Sequence, residues 1–213
     1  MSLRHALLAL LDAAPMSGYA LLKHFDHSAA YVWHAPHSQI YPELRRMEAD
    51  GLIAGQAEPR GNHGTRRTYS ITPAGHDEMR RWVEEPTPAQ YERDIAHLKA
   101  TYFEFGSFEN ARNQFRAHLL RHEQLQRKWE AHVEALQSRS TALLKLRLGS
   151  APEYLHEPIV EYKVHVYQGF AQRARDEVAW AKAGLDLVDR LEAAAVVPPL
   201  PYPALTGPEA AEA

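Results

Sequence analysis

From about Asp94 to Leu187 the chain offers no strand pattern and only sparse glycine and proline. That span can fold only as helices, and their apolar faces are unusually wide. The sequence predicts a short helix from about Asp94 to Phe105 and a long one from about Phe108 to Arg147. A third is predicted from about Pro152 to Gly184. In the third, Leu155, Ile159, Tyr162, Val166 and Phe170 make one stripe, while Val160, Val164, Tyr167, Ala171 and Val178 make another. In the second, Phe115, Leu119, His122, Trp129, Val133, Leu136 and Leu143 recur in steps of three, four and seven. A helix apolar over so broad an arc must be covered on more than one side. Two or three helices of one chain can hardly supply that cover, so a second copy is expected, most simply a two-fold dimer. Leu155, Ile159, Tyr162, Val166, Phe170, Trp129 and Leu119 are the expected interface.

The segment before it differs in kind. Leu3, Leu7, Leu10 and Leu11 form one helical face that ends at Ala13-Ala14-Pro15. Ser17 is a good N-cap for a second helix carrying Leu21, Leu22 and Phe25. "PHSQIYPELRRMEADGLI" reads as a third, stopped by Asp50-Gly51. "LIAGQAEP" and "RRTYSIT" are extended runs flanking the glycine-tipped "RGNHGT", and Thr72-Pro73 starts a further helix. The boundary is "EEPTPAQYERD". The expected parts are thus residues 1–86, residues 93–187 and a proline-rich tail, 197–213, without a fixed fold. The fold class is mainly α: a winged helix-turn-helix followed by an all-helical dimerisation domain.

The third helix carries the functional argument. With Ile40, Leu44 and Met47 inward at 100° per residue, Ser38, Pro42, Arg45 and Ala49 point out, flanked by Tyr41 on one side and Gln39 and Arg46 on the other. A hydroxyl, an amide, a phenol and a guanidinium are donors suited to base edges and phosphates in a major groove. The hairpin tip gathers Arg60, Asn62, His63, Arg66 and Arg67 with no carboxylate among them, which suits phosphate neutralisation or a minor groove. Arg66 and Arg67 alternate across a strand, so at most one faces a given side, and the other can pair with a carboxylate such as Glu58. Lys23 on the second helix is a candidate backbone contact. Pro42 lacks an amide donor, so the helix is expected to begin close before it or to bend there. The bland alternative is a small α+β domain whose third helix only packs.

Composition limits the rest. A net charge of −3 argues against a non-specific nucleic-acid coater, though not against a local basic patch. With no cysteine there is no disulfide, thiolate nucleophile or cysteine metal site. No phosphate loop or nucleophile elbow is present, so the chain is not expected to be an enzyme and no cofactor is implied. No apolar run reaches membrane-spanning length, and the N-terminus reads as an amphipathic helix and not as a signal. Among the 13 histidines, His118 and His122 stand four apart, as metal ligands can. No histidine pair has a glutamate between its members in the HExxH sense, and no cysteine or tight carboxylate cluster completes a site, so no metal is expected. His122 is read as part of the helix seam and the remaining histidines as surface residues. The aromatics Trp129, Tyr154, Tyr162, Tyr167, Phe170 and Trp180 suit an aromatic core and interface, or else a small-molecule pocket.

"SGYALLKHFD", "SQIYPELRRMEADGLI" and "RRTYSITPAGHDEMRRWV", together with the helical half, resemble the PadR family of bacterial transcriptional regulators to about residue 185. The longer C-terminal half is similar to the subfamily of the virulence-gene regulator type. The resemblance implies a cytoplasmic homodimer, usually a repressor, on a roughly palindromic double-stranded operator. It implies dimerisation through the C-terminal helices and response to a small aromatic effector. It also implies DNA contact by Tyr41 and the polar residues around it, Ser38 and Gln39, with Arg45 one turn on. The rival class is an effector-sensing or protein-interaction module whose winged helix meets protein.

Overall fold

The computed structural model describes residues 3–27, 37–59, 65–87 and 93–194. Contacts divide the chain into two units. One comprises residues 1–89 and 136–161, the other residues 90–135 and 162–213.

The first unit opens with α1 (Leu3–Ala13), the two-residue strand β1 (Met16–Ser17), α2 (Gly18–His27) and α3 (His37–Ala49). Ser17 caps α2: its Oγ accepts from the Ala20 amide at 3.2 Å. Strands β2 (Ile53–Pro59) and β3 (Thr65–Ile71) pair antiparallel, and β1 joins the far side of β3, giving the order β1-β3-β2. β1 has no signature in the sequence, because two residues are too few to show alternation. α4 (Pro73–Glu84) follows, with Thr72 Oγ1 accepting from the Gly75 amide at 3.1 Å and donating to the Gly51 carbonyl at 2.7 Å. α3 ends in a Schellman arrangement. Leu52 N donates to Met47 O at 2.9 Å, Gly51 N donates to Glu48 O at 3.0 Å, and Gly51 takes φ 72°, where a side chain would strain the backbone. The core joins Leu7, Leu11, Leu21, Phe25, Ile40, Leu44, Met47, Ile53 and Tyr69. Burying each of these large side chains contributes about 1.5–3 kcal/mol, so α3 is held by three of its own residues.

The long helix expected to reach Arg147 stops earlier. α6 (Phe108–Gln137) gives way at "SRST", where Arg139 takes φ 54°. Thr141 then caps a separate α7 (Ala142–Ser150), its Oγ1 accepting from Leu144 N at 3.3 Å. α7 packs on α1 within the first unit: Leu144 is buried, Leu143 joins the core, and Arg147 pairs with Asp12 at 2.9 Å.

In the second unit the first helix is shorter than expected. α5 (Ile95–Ala100) is capped by Asp94 and followed by a 3-10 turn, Phe103–Phe105. α8 (His156–Ala193) starts later than expected and runs past Gly184, which does not stop it. Gly184 is buried, and a Cβ there would meet the ring of Phe115 on α6, so glycine serves close packing. Phe115, Ala111 and Val188 form one apolar cluster. Trp129 packs on Tyr167 and Phe170, with centroids 5.8 and 5.4 Å apart. Arg112 reaches Asp189 at 2.9 Å and Glu192 at 2.6 Å. Among the described residues no helix is long and apolar enough to cross a membrane. The tail, 197–213, lies outside the described residues.

Candidate DNA-binding surface

α3 divides into two faces. Ile40, Leu44 and Met47 are fully buried, while Ser38, Gln39, Tyr41, Arg45, Arg46 and Ala49 are exposed and Pro42 is half-buried. The helix begins at His37 and continues through Pro42. Because a proline has no amide hydrogen, the Ser38 carbonyl loses its donor four residues on. The oddity therefore falls in the first two turns, on the exposed side, where water or a ligand can satisfy that carbonyl.

Tyr41 is placed by α2. A Cβ on Gly18 would stand 2.6 Å from Tyr41 Cε1, so the ring lies directly over the glycine that opens α2. The ring keeps 45% of its surface exposed. Lys23, further along α2, is exposed as well.

The carboxylates of α3 are turned to structural use. Glu43 accepts from Arg4 Nε at 3.0 Å and Arg46 Nη1 at 3.2 Å, and Arg4 also reaches Asp50 at 2.7 Å. Glu48 Oε1 accepts from the Gly55 amide of β2 at 3.0 Å and from Arg67 Nη2 of β3 at 2.5 Å. The bond to Glu48 raises the pKa of the Arg67 guanidinium further, and the same group lies 5.9 Å from the centroid of Tyr69. A side chain at Gly55 would collide with both partners, 2.5 Å from Arg67 Nε and from Glu48 Oε1. Arg67 thus ties the hairpin to α3, and its carboxylate partner is Glu48 where Glu58 was the expected example. In the observed register Glu58 stands opposite Arg66. Among the described residues Arg45 enters no ion pair. Asn62, His63 and the side chain of Arg66 lie outside the described residues.

The residues expected at a dimer interface separate. Trp129 is buried by the chain's own Tyr167 and Phe170, so its cover comes from within the second unit. Phe170 and Leu119 are half-buried there, and Leu155 and Ile159 are half-buried in the first unit. Tyr162 and Val166 are 76% and 46% exposed, and Leu187 and Leu191 on the same helix are also exposed. At 100° per residue these four fall within about 60° of arc. The second stripe, Val160, Val164, Tyr167, Ala171 and Val178, is buried.

Residues 7–81 match the transcriptional regulator PadR-like family. They form a PadR-like domain. The chain is 27% identical over 190 residues to the negative transcriptional regulator PadR of Bacillus subtilis, covering 88% of this chain and 98% of that protein. The crystal structure of Bacillus subtilis PadR in complex with operator DNA superimposes with a TM-score of 0.70 at 26% identity, covering 89% of this chain and all of that one (100%). The same protein in complex with p-coumaric acid gives 0.64 at 25% identity, over 88% of this chain and 98% of that one. The similarity extends well beyond the PadR-like domain, into α5–α8.

Proposed function

We propose that this chain is a sequence-specific DNA-binding transcriptional regulator, a homodimeric repressor in the cytoplasm that a small aromatic effector modulates. The observation that carries this is the outer face of α3. It presents Ser38, Gln39, Tyr41 and Arg45, while both helix carboxylates that would repel phosphates are engaged by cations of the fold. Similarity over nearly the whole length of a PadR crystallised with operator DNA supports the reading.

In this mechanism two copies place their α3 helices in successive major grooves, about one helical turn apart. Arg45, Gln39 and Ser38 meet base edges, and the Pro42 ring touches an apolar edge such as a thymine methyl. Tyr41 donates its phenol proton to a phosphate and Lys23 pairs with another. Asn62, His63 and Arg66 follow the backbone from the hairpin tip. Arg67 is a positioning residue that holds the hairpin against α3 through Glu48. Tyr162, Val166, Leu187 and Leu191 meet their counterparts across the two-fold. An effector releases DNA only by binding the competent and incompetent dimers unequally.

The experiment is selection of genomic fragments by the purified full chain, followed by binding across a salt series. Affinity for the selected site should fall linearly in log-log form. Lys23→Ala, at a phosphate contact, should reduce that slope by about 0.9, the share of one released counterion, whereas Arg45→Ala should cost about 1–3 kcal/mol and relax the preference at the base it meets. No binding at low salt would defeat the proposal.

A further inference from the structure

The second unit holds a cluster of donors that the DNA surface does not use. His118 and His122 on α6 stack with centroids 4.2 Å apart and planes inclined by 22°. Glu177 of α8, 59 positions beyond His118, brings Oε2 to 2.8 Å from His118 Nε2. One donor atom from each of the three can be chosen so that all lie within 4.8 Å of one another. The carboxylate that stands with the pair thus comes from another helix, across the packing of α8 on α6.

A plain histidine–carboxylate hydrogen bond does not account for the rest of the cluster. It needs one imidazole, yet a second lies parallel to it with Nδ1 buried and without a hydrogen-bond partner. A buried nitrogen left without a partner is unfavourable to the fold. Beside these lies a third imidazole. His97 Nε2 is 4.0 Å from Glu177 Oε2, its Nδ1 is 2.7 Å from Asp94 Oδ2, and its ring sits on Trp180 at 3.9 Å. His97 Nδ1, like that of His122, is buried and meets no partner in hydrogen-bonding geometry, although Asp94 Oδ2 stands close by. A cavity of about 220 Å³, lined in part by Gln114, His118, Arg121 and Trp180, gives an approach to the cluster.

We propose that His118, His122 and Glu177, with His97 as the fourth donor, bind a divalent transition-metal ion of the zinc class. Imidazoles with one carboxylate suit zinc, nickel or copper over magnesium or calcium, which prefer oxygen donors. The ion takes the place of the proton that His118 and Glu177 now share, and it links α5, α6 and α8 within this unit. The site is independent of the DNA reading, since none of its residues belongs to that surface.

The test uses the full chain, stripped with a chelator and titrated with Zn²⁺ against a chromophoric competitor, with Co²⁺ as a spectroscopic substitute. One ion per chain is expected, with the visible spectrum of four-coordinate Co²⁺. His122→Gln and Glu177→Gln should each weaken binding by roughly 100-fold, at the upper end of the loss seen even for outer partners of a metal site. His97→Gln should weaken it by about tenfold. Melting of each metal-free variant checks that it folds, and the paired His24→Gln, His27→Gln variant should leave affinity unchanged. Absence of binding at micromolar free Zn²⁺, affinity indifferent to His122 and Glu177, or loss of binding in the His24/His27 variant each overturns the proposal.

Discussion

Gly18→Ala separates the placement of Tyr41 from the stability of the domain. The added methyl would stand 2.6 Å from Tyr41 Cε1, so the ring must retreat by roughly 1 Å to reach ordinary contact. It can do so, because it is nearly half exposed and only its far edge is hit. The backbone does not object, since Gly18 is not at positive φ, and replacing glycine in a helix contributes about 0.4–1 kcal/mol through the unfolded chain. Stability should therefore change by less than about 1 kcal/mol. DNA binding should not escape. If the phenol donates to a phosphate, losing a hydrogen bond to a charged group costs about 1.5–3 kcal/mol, roughly ten- to hundredfold in Kd. Fluorescence anisotropy on a selected DNA site, with thermal melting alongside, measures both. Tyr41→Phe should show the same loss of affinity. In a Tyr41→Ala background Gly18→Ala should add nothing, because there is no ring left to move. Additive losses in that cycle, or a Gly18→Ala protein with unchanged Kd, would refute the reasoning.

Three further outcomes follow from the same structure. Thr72→Ala removes the cap of α4 and the bond to the Gly51 carbonyl, and should lower stability by about 1–2 kcal/mol in denaturant melts. Gly184→Ala forces a methyl into the ring of Phe115, which is only 6% exposed, and should cost about 1–3 kcal/mol by the same measurement. Burial, then Lys163 and Lys128, holds the pKa of His132 below its ordinary value. The unfolded chain therefore binds the proton more readily, and the contribution, complete above the unfolded pKa of about 6.5, is lost as pH falls below it. Melting at pH 7.5 and 5.5 should show a larger drop for the native chain than for His132→Gln; equal drops would contradict this.

What the sequence revealed and what it concealed follow one physical line. Helical spacing reports which face of an element is buried, so Ile40, Leu44 and Met47 placed α3, and Ser17 and Thr72-Pro73 marked two helix starts. The same logic put Ser38, Gln39, Tyr41 and Arg45 outward. Spacing does not report what stands opposite a face. Glu48 and Arg67 are 19 residues apart, and His118 and Glu177 are 59 apart. Neither pair can be read without the packing that joins them. Spacing pointed Trp129 toward a second subunit, whereas Tyr167 and Phe170 of the same chain pack against its ring. The break at Arg139 was hidden because apolar steps continue across it to Leu143 and Leu144, which belong to a different helix and a different core.

The Glu48–Gly55–Arg67 clasp makes the two halves of the proposed DNA surface, helix and hairpin, separable in design. The side chains facing outward from α3 take no part in the clasp, and Glu43 and Glu48, which anchor that helix to α1 and the hairpin, take no part in the outward face. Exchanging residues 38, 39, 41 and 45 for those of another regulator would therefore retarget the helix while the hairpin kept its docking. A new sequence at Gly55 would undo that docking without touching a single outward-facing residue of the helix.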